Sequence, residues 1–145
     1  MKKTAVIIKG NPKLVEGNER ANAFYESLKV FLESLDFEVS FDSGEPYTQP
    51  PHADVWIGHS RGSDRLRFAL PEVITIGLGV PESRGSTDFP VVNHPKDEMA
   101  KLVFQDGKII KEEAVQMFDD SYHYILTEEM KEEIKNIIEN YKKVR

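Results

Sequence analysis

Ala5-Val6-Ile7-Ile8 is an unbroken apolar run, rich in β-branched side chains and closed by Gly10-Asn11-Pro12. A run of this kind predicts a strand covered on both faces, as in a parallel sheet. Between Asn18 and Leu35 the apolar positions are Ala21, Phe24, Leu28, Phe31, Leu32 and Leu35. Their 3.6-residue period predicts an amphipathic helix. Asn18 suits its N-cap, and Glu19 places an acid in the first turn, where the helix dipole favours one. Phe37, Val39 and Phe41 then alternate with polar residues, which predicts a second strand.

Residues 42–51 hold Gly44, Pro46, Pro50 and Pro51 and read as a loop within one domain. Val55-Trp56-Ile57 is a third strand ending at Gly58. Residues 60–69 form a short helix that Pro71 terminates. Val73-Ile74-Thr75-Ile76 is a fourth strand closed by Gly77 and Gly79, residues 79–89 are loop, and Val91-Val92 is a brief fifth strand. Asp106-Gly107, between Leu102–Gln105 and Lys108–Lys111, signals an antiparallel hairpin, and residues 115–118 suit a further strand. Thr127 caps a last helix with apolar positions at Met130, Ile134, Ile137, Ile138 and Tyr141. Alternating buried strands and helices predict an α/β three-layer sandwich with a mostly parallel sheet, residues 1–145 forming one domain, the hairpin lying at an edge. Ligands bind such sheets beyond the C-terminal ends of the strands. The segments to inspect are 9–12, 58–62, 77–88 and 94–97.

Composition narrows the chemistry. Among 145 residues, 19 Lys and Arg face 25 Asp and Glu, a net charge of −6. That balance argues against a general nucleic-acid footprint. Cysteine is absent, which excludes disulfides, a thiolate nucleophile and Cys-ligated zinc. Lys9 cuts the first apolar run short of a signal-peptide core, and no stretch approaches the ~20 apolar residues of a membrane helix. The expectation is a soluble, cytoplasmic protein without membrane partners. His52, His59, His94 and His123 show no metal-ligating spacing, so neither a metal nor another cofactor is expected.

Gly58-His59-Ser60-Arg61-Gly62 fits G-x-S-x-G between a buried strand and a helix, the context this motif requires. Glycines two residues to either side of the serine let a sharp turn pack closely, and the serine hydroxyl stands on the tip. The helix N-terminus beneath it aims backbone N–H groups at a developing oxyanion.

The pentapeptide in this context resembles the nucleophile elbow of the α/β-hydrolase superfamily, in particular its small, lidless serine hydrolases. The resemblance extends to Ile7-Ile8-Lys9-Gly10-Asn11, which stands where that family has an oxyanion turn, with Lys9 where His is frequent. It implies a minimal α/β-hydrolase-like fold and the chain order Ser, acid, His. Ser60 would be the nucleophile, Asp97 in Asn93-His94-Pro95-Lys96-Asp97 the acid, and His123, four residues before Thr127, the base. Asp88 is the rival acid; His94 precedes Asp97 and breaks the order. Backbone N–H groups of Arg61 and of Gly10 or Asn11 would bind the oxyanion. The implied reaction is acyl transfer to water from a small ester or similar substrate.

Other readings of the same residues stand beside this one. Ser60 and Asp97 are also good N-caps, and His123 also suits a surface loop. His59 would point away from the serine, and His52 lies in a proline-rich loop that faces solvent. Arg61, Arg65 and Arg67 form a basic cluster, either a helix face paired with Asp64 or other acids, or an anion site at the Gly-Ser turn built from Arg61 and Arg65. The second option gives a Rossmann-like module that binds a nucleotide or phosphorylated ligand without hydrolysing it. A third reading is a hydrolase-like interaction protein without activity, since the short chain leaves no lid. The apolar hairpin edge could pair in a homodimer.

Overall fold

The computed structural model describes residues 3–43, 52–79, 89–92 and 124–140. Within them lies a five-stranded, all-parallel sheet in the order β2-β1-β3-β4-β5. The strands are β1 (Lys3–Ile8), β2 (Phe37–Asp42), β3 (Val55–His59), β4 (Ile74–Leu78) and β5 (Val91–Val92). Register puts Ile8 opposite both Asp42 and Gly58, and Gly58 opposite Gly77, so the strands end level with one another.

Helices cover both faces. Alternation along β1 sends Ala5 and Ile7 one way and Val6 and Ile8 the other. On the first face, Ala5, Ile7, Val55, Ile57, Ile76 and Leu78 pack under α2 (Glu19–Ser34) and α3 (Glu128–Asn140). On the second, Val6, Ile8, Trp56 and Val73 pack against Leu66 of a 3-10 helix, Ser60–Phe68. This is the three-layer α/β arrangement, and β1, an inner strand covered on both faces, is buried from Ala5 to Ile8.

The caps follow the local chemistry. Asn18 Oδ1 accepts from Ala21 N–H at 3.1 Å, and Thr127 Oγ1 accepts from Met130 N–H at 3.1 Å. A short helix, α1 (Pro12–Val15), follows β1. Asn11 caps it by accepting from Lys13 N–H at 3.0 Å, and Pro12 supplies a preset φ at the first helical position. Strands β3 and β4 run through Gly58 and Gly77 rather than stopping before them, because ladder pairing to neighbours outweighs the weak strand preference of glycine. The proposed hairpin and the strand at 115–118 lie outside the described residues. Among the described residues no helix is long and apolar enough to cross a membrane.

Candidate functional site

The chain runs from β1 outward to β2 and then returns to β3 on the other side of β1. The strand order therefore reverses between β1 and β3, and in doubly wound sheets ligands bind in the crevice at the carboxyl ends beside such a reversal. Gly10 follows β1 into that crevice and Ser60 follows β3.

Ser60 has φ of 52°, in the left-handed region that L residues avoid. The bend turns the chain directly from β3 into the 3-10 helix. Both glycines of the motif are demanded by close approach. A Cβ on Gly58 would lie 2.7 Å from Ser63 Cα and 2.9 Å from Gly62 O. A Cβ on Gly62 would lie 2.6 Å from Lys9 O and closer still to Ile8 O. The first glycine lets the helix fold back onto β3; the second lets the helix start pack on the end of β1. Ser63 Oγ ties the turn down by donating to Gly58 O at 3.0 Å. The Ser60 side chain is half-buried, and its preceding residue His59 makes no side-chain cap, so the first N–H groups of the helix are not taken by that residue.

The two loops of the crevice meet. A Cβ on Gly10 would stand 3.7 Å from Ser60 Cβ, ordinary van der Waals contact. What holds them together is Tyr25, on the inner face of α2. Its Oη accepts from Gly10 N–H at 2.9 Å and lies 2.8 Å from His59 Nδ1. Burial, above all, holds the Tyr25 phenol well above its usual pKa; the Gly10 N–H works in the opposite direction, and nearby Tyr124 raises it further. The phenol therefore keeps its proton, and the direction of its hydrogen bond with Nδ1 follows the tautomer of the imidazole. His59 is fully buried and ringed by Phe24, Tyr25 and Tyr124 at centroid distances of 4.7, 5.3 and 5.8 Å. It supports the turn from below, on the α2 side of the sheet.

Each residue singled out in the sequence can now be placed. Gly10 and Asn11 follow the end of β1 and Ser60 and Arg61 follow the end of β3, with Gly10 next to Ser60. Gly10 gives its N–H to Tyr25 Oη, so that N–H is already engaged within the fold. Arg65 is completely buried and forms an ion pair with Asp42 at 2.9 Å while donating to Ser43 O. Its charge braces the 3-10 helix against the end of β2 rather than facing a ligand. Arg67 is exposed beside Asp64 at 3.6 Å, and His52 is exposed. Asp97, His123, Asp88 and His94 lie outside the described residues.

Tyr25 was not among the candidates read from the sequence. A signal existed: Ala21, Tyr25, Leu28 and Leu32 share the buried stripe of α2, and a tyrosine on such a stripe needs a polar partner.

Fold and site together define an α/β protein with a serine turn at the topological switch point of a parallel sheet. No family model, curated protein or solved structure matches the chain.

Proposed function

We propose that the protein is a serine hydrolase that cleaves a small ester or similar acyl substrate, with Ser60 as nucleophile. The observation that carries this reading is the left-handed Ser60 between two glycines that admit no Cβ. A cap serine needs only extended backbone; strain of this kind clusters where a side chain must be presented for chemistry.

In the proposed reaction Ser60 Oγ attacks the acyl carbon while His123 takes its proton. The N–H groups of Arg61 and Asn11 receive the oxyanion. His123 returns the proton to the departing alcohol, and water then cleaves the acyl-enzyme by the same steps, releasing the acid and restoring Ser60. Asp97 would orient the imidazole and stabilise its cationic form. The roles of His123 and Asp97 rest on chain order. The competing reading, an anion-binding module without hydrolysis, is weakened because Arg65 is committed to Asp42.

A fluorophosphonate probe tests the proposal. It should label the wild type at Ser60, leave Ser60→Ala unlabelled, and react far more slowly with His123→Ala. Absence of labelling in a folded wild type would overturn the hydrolase reading in favour of a binding or interaction role.

A further inference from the structure

Resting on the hydrolase reading of Ser60, we infer that the site selects substrates whose acyl portion carries a negative charge, and that Lys9 is the residue that selects them. Lys9 leaves the end of β1 directly beside the serine turn. Its carbonyl oxygen would be 2.6 Å from a Cβ on Gly62, and its successor Gly10 abuts Ser60. Its ammonium is held above two aromatic rings, 4.6 Å from the Phe41 centroid and 5.6 Å from that of Tyr25. Both distances fall in the cation–π range. The side chain is half-buried, so the charge is partly stripped of water and already positioned.

Among the described residues no carboxylate forms an ion pair with it. The obvious partner is Asp42, whose carbonyl accepts from Lys9 N–H at 3.0 Å. Side chains alternate across a sheet, however, and the Asp42 carboxylate turns to the opposite face, where it pairs with Arg65. The ion pairs among the described residues leave out both Lys9 and the exposed Arg61, which adjoins Ser60. Two cationic residues thus adjoin the serine turn through their backbones, in a chain with net charge −6. A preorganised, partly desolvated ammonium costs little further ordering when it receives an anionic group, and a charge-assisted hydrogen bond is about twice as strong as a neutral one.

The test uses a matched pair of substrates: the 4-nitrophenyl monoester of glutarate with its free carboxylate, and the same ester methyl-capped at the far end. The wild type should favour the free carboxylate at least about tenfold in kcat/KM, as one charge-assisted hydrogen bond allows. Lys9→Met should bring that ratio close to unity, Lys9→Arg should retain much of it, and added salt should erode it in the wild type. A wild-type ratio near unity, or one that survives Lys9→Met, overturns the inference. Hydrolysis of neither ester would instead count against the hydrolase reading. Glutarate binding followed by calorimetry then decides the charge question alone: binding weakened at least about tenfold by Lys9→Met upholds it, and no saturable binding to the wild type overturns it.

Discussion

Gly62→Ala should be among the most damaging single-methyl changes this fold can suffer. The added Cβ would sit 2.6 Å from Lys9 O and nearer still to Ile8 O, both backbone atoms at the end of β1, an inner strand. A clash with a flexible side chain can be relieved by a rotamer change; a clash with β1 cannot, because β1 is paired on both sides by β2 and β3. Either the 3-10 helix lifts away from the sheet or β1 bends. Overpacking of this kind costs ~1–3 kcal/mol where side chains yield, so ~3 kcal/mol is the expectation where backbone must move. With a urea m-value of ~2 kcal/mol/M, the unfolding midpoint should fall by ~1.5 M. Gly10→Ala is the matched control. Its Cβ would meet Tyr25 Oη at 3.5 Å and His59 O at 3.7 Å, so its midpoint should stay within ~0.25 M, a change of ~0.5 kcal/mol. Urea denaturation followed by circular dichroism measures both. A Gly62→Ala midpoint indistinguishable from wild type would refute the close approach on which the turn depends.

Four further predictions concern neighbouring residues. Ser60→Gly should be more stable than Ser60→Ala by ~1 kcal/mol in thermal unfolding, because only glycine occupies φ of 52° without strain; equal stabilities would mean that the strain is absent. Tyr25→Phe should cost ~2–3 kcal/mol by chemical denaturation, since it leaves the Gly10 N–H and His59 Nδ1 buried without their partner. In the wild type the raised Tyr25 pKa means that the unfolded chain loses this proton first. Its stabilising contribution is thus whole below pH ~10 and declines as the pH climbs above that value. Absorbance titration should accordingly show one tyrosine ionising only with unfolding, and an ordinary midpoint for all five would contradict this. Asp42→Ala should destabilise by ~3 kcal/mol by stranding a fully buried guanidinium. Adding Arg65→Met should recover part of that loss in a double-mutant cycle, and strictly additive effects would show that the two side chains do not interact.

Local chemistry made much of this architecture legible. The β-branched run of β1, the 3.6-residue stripe of α2 and the Asn18 and Thr127 caps act over a few residues, so they could be read one segment at a time, and the alternation of strands with helices carried the three-layer class. The Gly-Ser turn was visible for the same reason: a strand, a five-residue pattern and a helix lie side by side in the chain. Other features depend on residues far apart in sequence. Tyr25 binds positions 10 and 59 because the parallel order β2-β1-β3 lays α2 across the ends of two strands. Arg65 looked like a ligand for anions, yet Asp42, 23 positions earlier, claims it; an ion pair has no periodicity to betray it. Lys9 was a strand terminator in the linear pattern. Sheet alternation, which turns Asp42 to the opposite face, is what leaves its charge over Phe41 and Tyr25. By itself the sequence determined which segments become strands and helices and where a serine turn would stand, because propensity, capping and hydrophobic period are short-range. Tertiary structure decided which charges are neutralised and which are left over aromatic rings, because that depends on the face each side chain takes once the strands are paired.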